Sequence, residues 1–449
     1  MYLQKIIQFF RSVEGGGSSP AFLFCLQATI ITIPVSVSIS QAFLSLSLLF
    51  YFFQKGKKEV LRSPLFYAGL GVFIAYLFSY IIHEFKLPHL NPAKTELKDF
   101  FLFSGFLCMS VLKKEEFKRI ESAIFISILV LVISGFISIF STYRISRLIT
   151  ALFKIVHTWP YAHHYGDVFQ ISIYQPIGLM NTHLTYGGLL LLYFPYIFFR
   201  FFNEANRKLL DKASLQTLLL LVLFVIVILL NNARSAIIGI GLAIFLGFLD
   251  ITFIQNKIPK RKFFLWMLSP LVTLGLVFSI LLLNPTTAKV IRPLLGAEKH
   301  TDSGRTFIWN STFPMIQKNP VLGIGPGRYL EEIEKERKLL SENNRELLYF
   351  YEVTQRGHAH NDYLHISAIS GFMGFLAYLI FIGFSSHAIY SLKEFKEYSI
   401  YFYGLLGFFL SGLFQCYFQD DEVVILFWML MGFLSRLFVE ARKPKLYNM

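Results

Sequence analysis

Residues 213–240 read ASLQTLLLLVLFVIVILLNNARSAIIGI. The first part, 213–231, is long enough and apolar enough to cross a bilayer as one helix, which takes about 20 residues. A short polar turn ending in Arg234 follows, and a second apolar run begins at Ala236. Runs of this kind recur along the whole chain. Twelve spans are expected, at about 21–37, 38–53, 65–83, 97–112, 120–142, 178–199, 213–231, 234–253, 263–284, 360–389, 398–418 and 421–438. The first two come from one unbroken apolar stretch, divided at Pro34 and the Ser-rich segment after it.

The composition agrees with this reading. Of 449 residues, 55% are hydrophobic and 16% charged, against about 25% charge in a soluble domain. Mean hydropathy is +0.54, and the 50 Phe and 23 Tyr suit lipid and its interfaces. The expected fold is an all-α integral membrane protein of about 12 transmembrane helices with one large, partly helical loop. Spans 1–9 occupy 1–284, the loop 285–359, and spans 10–12 occupy 360–449. Cys25, Cys108 and Cys416 sit in apolar runs and read as small buried hydrophobes rather than a disulfide or metal framework. The stretch 15–20 looks like a linker before the first span, and no cleavable signal is evident.

The net charge of +14 would suggest nucleic acid in a soluble protein, but here the basic residues cluster in short segments between spans. On the side of the N-terminus, seven segments hold 24 of the 42 Lys and Arg. The positive-inside rule then places both termini in the cytoplasm and the long loop outside. A second outer segment, 143–177, carries His157, Trp159, His163 and His164 and reads as an interfacial helix; the two adjacent histidines point apart on a helix and make a poor metal pair.

The long loop concentrates the polar chemistry. Residues 305–318 have helical spacing with a kink at Pro314, and 328–348 read as a solvated helix. Gly323, Gly325 and Gly327 form the turn between them, either a flexible connector or a phosphate cradle. No strand precedes them, so a dinucleotide fingerprint fails. Arg234 at the start of a span, with Arg305, Arg328 and Arg356 from the loop, has the chemistry to grip a diphosphate bidentately. Asp420-Asp421-Glu422 begins a span, where carboxylates offset the helix dipole, and is the nearest alternative metal site. His358-Ala359-His360-Asn361-Asp362, with His365, leaves three readings open: a metal set, a general base oriented by Asn361, or structural histidines.

These residues resemble the O-antigen ligase and O-antigen polymerase superfamily of bacterial envelope glycosyltransferases. The resemblance runs from about Asn231 to Gly374. It rests on Asn232-Ala233-Arg234-Ser235-Ala236, on Gly304-Arg305 with Ile308-Trp309, on Asn319-Pro320 followed by Gly323-Ile324-Gly325-Pro326-Gly327, and on His360-Asn361 with Gly371 and Gly374 beyond. The stretch Gly178–His183 is similar to the segment that starts the family's sixth span. The resemblance implies a GT-C-like architecture in the bacterial inner membrane, with a periplasmic loop over a cavity. It further implies a glycan donor on undecaprenyl diphosphate, an acceptor hydroxyl on lipid A–core oligosaccharide (ligase) or on a lipid-linked repeat (polymerase), and a metal-independent, inverting transfer without a cofactor. Arg234 and Arg305 match the residues that hold the diphosphate, and His360 matches the base. His358, Arg328, Arg356, Asn361 and His183 are further candidates. A ligase is the expectation, with a polymerase, a protein oligosaccharyltransferase, and a transporter of lipid-linked glycans or anions as alternatives.

Overall fold

A computed structural model of the chain describes residues 18–86, 95–147, 162–208, 211–256, 259–285, 287–288, 300–344, 347–354, 357–392 and 395–442. Apolar runs bounded by polar turns become helices because a backbone in lipid must satisfy its own hydrogen bonds. In chain order these are α1 (Pro20–Thr32), α2 (Val37–Tyr51), α3 (Pro64–Lys86), α4 (Asp99–Leu102), α5 (Ser104–Ser110), α6 (Phe117–Ser138), α7 (His183–Lys208), α8 (Lys212–Asn231), α9 (Arg234–Leu249) and α10 (Lys260–Leu283). Then come α11 (His300–Lys318), α12 (Tyr329–Asn343) and α13 (Leu348–Val353) of the long loop, followed by α14 (Asp362–Tyr390), α15 (Tyr403–Ser411) and α16 (Asp421–Arg442).

Each of the twelve expected segments contains helix. Among the described residues, seven helices are long and apolar enough to cross a membrane alone: α3, α6, α7, α8, α9, α14 and α16; α1, α2 and the helical stretch 399–411 are shorter apolar helices. The chain is thus a multi-pass, helical membrane protein. The division near Pro34 holds, since α1 ends at Thr32 and α2 begins at Val37.

The centre of the bundle is α16, buried along almost its whole length, with α7 beside it. Helices α9 and α15 cross with their backbones touching, because Gly239 and Gly407 face each other and a Cβ on either would meet the other's carbonyl oxygen.

Two findings depart from the sequence reading. The segment 143–177 contains an antiparallel hairpin, β1 (His164–Val168) with β2 (Ile171–Tyr174), where an interfacial helix was expected. The edge of this hairpin is tied to the end of α6: Tyr174 N donates to Ile139 O at 2.8 Å, and Ala162 N to Thr142 O at 2.8 Å. His157 and Trp159 lie outside the described residues.

The second departure concerns the glycine turn. Helix α14 breaks at Gly371 (φ 61°, ψ −157°), a conformation open essentially to glycine alone. The break frees backbone groups inside the protein, and the 319–327 turn fills it. Ile324 N donates to Ala368 O at 2.8 Å, Gly325 N to Ile369 O at 3.0 Å, Phe372 N to Pro320 O at 2.8 Å and Met373 N to Val321 O at 3.3 Å. Ser79 and His83 of α3 donate to Leu322 O (2.5 Å) and Gly323 O (2.8 Å) from the other side. A Cβ on Gly323 would lie 2.5 Å from Ala368 O. The turn is therefore a docked plug, not a flexible connector. Nor is it a phosphate cradle, because its N–H groups are occupied, that of Gly327 by Glu96 Oε2 at 2.6 Å.

Candidate functional site

Hydrogen bonds gather the ends of α6, α8 and α15 and the starts of α7, α9, α14 and α16 at one end of the bundle. His360 lies in the turn before α14, with a left-handed backbone (φ 48°) that a non-glycine residue rarely takes. Asn361 makes that turn possible. It is the N-cap of α14, its Oδ1 accepting from Leu364 N at 2.9 Å while its Nδ2 donates to Leu413 O at 2.9 Å. Both ends of the amide are spent on the backbone.

The group that orients the His360 ring is Gln415, which sequence reasoning missed. His360 Nδ1 lies 2.8 Å from Gln415 Oε1. An amide oxygen accepts, so the ring proton sits on Nδ1 and Nε2 keeps its lone pair. Burial depresses the ionisation of His360, and the nearby Arg305 charge adds to this against the Gln415 hydrogen bond. These effects favour the neutral ring, with its lone pair on Nε2.

His358 plays a different part. Its Nδ1 accepts from His360 N at 3.2 Å, and its ring meets that of His360 edge-on at 4.6 Å. Burial, aided by His360 and His365, holds His358 down to about 2. Asp362 turns away from both: its N donates to Gly412 O at 2.7 Å, and its Oδ1 accepts from Phe418 N at 3.3 Å. His365 Nε2 faces Glu96 Oε1 at 3.3 Å. Among the described residues no three His, Cys, Asp or Glu side chains converge on one point as a metal set.

Arg305 is brought to His360 by Trp309, whose Nε1 donates to Ala359 O at 3.0 Å. Arg305 stands four residues earlier on α11, hence on the same face. Buried Arg337, also missed from sequence, steadies this region. Its Nη2 donates to the carbonyls of Tyr351 and Thr354, both at 3.0 Å, and its guanidinium lies 5.3 Å from the Phe307 ring centroid. Arg234 opens α9. Its neighbour Ser235 is 2.9 Å from Tyr417 Oη through Oγ and accepts Ser411 Oγ at its carbonyl (2.7 Å), so Arg234 is fixed beside the segment that carries Gln415. His183 opens α7 and lies in the electrostatic field of Arg305, His360, Arg144 and His163.

Arg328 is engaged elsewhere. Arg328 Nη2 reaches the His83 carbonyl at 3.2 Å, bracing the plug against α3. Arg356 lies outside the described residues. Two of the three acidic residues at the start of α16 have separate partners. Asp420 accepts from Thr185 Oγ1 at 2.8 Å, and Asp421 takes Lys98 at 3.2 Å and Gln41 at 2.9 Å. His164 pairs with Asp167 at 3.3 Å on the hairpin, away from any shared ligand with His163.

Residues 219–379 match the family model described as O-antigen ligase. This segment belongs to the O-antigen ligase and polymerase superfamily. No curated protein matches the chain. The matched segment of the O-antigen ligase family runs from α8 into α14 and contains Arg234, Arg305, the plug, His360 and the break at Gly371; Gln415 lies beyond it. The family indicates a ligase- or polymerase-type glycosyl transfer, with a lipid-linked glycan and an acceptor met in the membrane.

Proposed function

We propose that this protein is an O-antigen ligase that moves a glycan from undecaprenyl diphosphate to a hydroxyl of lipid A–core oligosaccharide. The reaction takes place at the periplasmic face of the bacterial inner membrane, with both termini cytoplasmic and about twelve spans. The observation that carries this reading is the geometry at His360, with Nδ1 tied to Gln415, no hydrogen bond to Nε2 among the described residues, and Arg305 close enough to act on the ring.

The acceptor O–H gives its proton to His360 Nε2 as its oxygen attacks the anomeric carbon of the donor's first sugar. The bond from that carbon to the diphosphate oxygen breaks, the configuration inverts, and undecaprenyl diphosphate leaves. Its new negative charge develops opposite Arg234 and Arg305, which are always charged and need no metal partner. Arg234→Ala and Arg305→Ala should each lower transfer about 100-fold or more, with donor use weakened most. Unchanged donor kinetics in both variants would remove the clamp.

The pH dependence follows from the direction of the His360 shift. The base works as neutral imidazole, and its ionisation lies below the ordinary value of 6.5. Activity should hold as pH falls to that value and then drop along an acid limb beneath it. A limb above pH 6.5, measured as kcat/KM against pH, would contradict the assignment.

A transporter would keep its broken helix open to a cavity at mid-membrane. Here the break in α14 is filled by the plug. The space beside Asp362 and His365 is about 20 Å³, room for one water. The lipopolysaccharide of a deletion strain decides among the readings. Loss of the ladder with lipid-linked polymer accumulating means ligase. Core plus one repeat means polymerase, and an intact ladder means neither.

A further inference from the structure

A second cleft, of about 320 Å³, lies between the end of α6, the hairpin and the start of α7. That volume is at the lower end for small-ligand sites. Its polar lining is Arg144, His163, Gln175, Asn181, Thr182 and His183, set among the apolar Ala162, Ile177 and Leu184. The walls are fixed: Gln175 N donates to His163 O at 2.8 Å, and Ser138 Oγ accepts from both Ile177 N and Gly178 N at 3.2 Å.

The cleft adjoins the candidate transfer site on two sides. Gln175 Nε2 donates to Asn231 O at 2.9 Å, and Asn231 Nδ2 returns a bond to Pro176 O at 2.8 Å, three residues before Arg234. On the other side stands His183, within the field of Arg305 and His360.

Arg144 sets the charge of this space. It is half-buried, and its one hydrogen bond among the described residues goes from Nη1 to Asn181 O at 3.1 Å. No carboxylate among those residues pairs with it. The hairpin's own acid, Asp167, is engaged by His164 at 3.3 Å and by Ser172 Oγ at 2.6 Å. A guanidinium lining a cleft with no carboxylate partner among the described residues favours an anion, while the amide, hydroxyl and imidazole groups around it match sugar hydroxyls, and the apolar wall suits a sugar ring's C–H face.

We infer that this cleft is a subsite for an anionic sugar, one bearing a phosphate or carboxylate, next to the bond being made. The inference rests on the transfer reading above. The anion belongs to the donor glycan or to the acceptor, and kinetics separate the two.

The test uses the full-length protein in nanodiscs, with lipid-linked donor and lipid acceptor. Arg144→Gln should raise KM for one substrate about tenfold, the worth of one charge-assisted contact, with kcat unchanged. Arg144→Lys should recover part of it. A rise in donor KM places the anion on the donor, and a rise in acceptor KM places it on the acceptor. Unchanged KM for both, or a fall in kcat alone, overturns the subsite. His163→Gln, at an exposed position, should give a smaller KM effect on the same substrate and serves if Arg144→Gln does not fold. Glucose 1-phosphate should inhibit the wild type more than glucose does, and this difference should vanish in Arg144→Gln. His360→Ala run alongside keeps the two ideas apart. Wild-type transfer there sinks the transfer reading, whereas a dead His360→Ala beside a normal Arg144→Gln sinks only the subsite.

Discussion

Replacing His360 with alanine lowers glycan transfer by about 10²- to 10⁴-fold, the usual worth of a positioned general base, while the protein still folds and inserts. The ring is partly buried in the turn before α14, where it bonds Gln415 and meets the His358 ring, so its loss removes no residue from a helix interior. Gln415 gives this prediction its finer edge, because Gln415 acts by positioning. Gln415→Glu keeps an acceptor facing Nδ1 but adds a negative charge that favours imidazolium, so the acid limb of the pH profile should move up. Gln415→Leu removes the acceptor and releases the tautomer, lowering kcat without moving donor KM. If Gln415→Glu and Gln415→Leu leave both the rate and the limb where they are in the wild type, the pair has no part in the chemistry. Wild-type transfer by His360→Ala would remove the base altogether.

Replacing Gly371 with alanine should cost about 3 kcal/mol or more of stability. The residue sits at φ 61° and ψ −157°, and an added Cβ would run into the Val321 carbonyl carbon of the docked turn. Two penalties coincide there: a backbone region closed to side chains, and a clash with backbone that cannot step aside. Gly383 lies on the same helix with nothing within 4 Å of an added Cβ, so Gly383→Ala is the control. Thermal unfolding in detergent should separate the two variants clearly, and equal midpoints would show that the plug does not hold the break. The consequence reaches the site. Trp309 bonds Ala359 at one level, and residues 320–325 bond 368–373 at another, so α11 and α14 are joined by two rungs. Those rungs set Arg305 against His360.

The spacing of His360, Asn361 and Gly371 gains a physical meaning from this. Asn361 caps α14, and the nine residues after it make about two and a half turns before the break. A reader of the sequence sees the spacing but not its cause, since the conformation of Gly371 is imposed by a segment some fifty residues earlier. The solvated helix near 328–348 and the one at 305–318 were legible, because periodicity and charge are local signals. The hairpin at 164–174 was not. Its histidines and aromatics mimic an interfacial helix, and its register depends on bonds to the end of α6.

Sequence by itself determined that the chain crosses a membrane many times, because apolar runs in lipid have helix as their available backbone solution. It also offered Arg234, Arg305 and His360 as candidates, Arg234 because few other outer helix ends carry a cation and all three through the motifs they share with the family they resemble. Tertiary structure alone decided that Gln415 orients His360, that Asn361 is a cap, that Arg328 braces α3, and that the glycine turn is a plug. Each of these is a contact between segments far apart in the chain. Such contacts leave no periodic trace, and a glutamine in an apolar turn carries no charge to announce it.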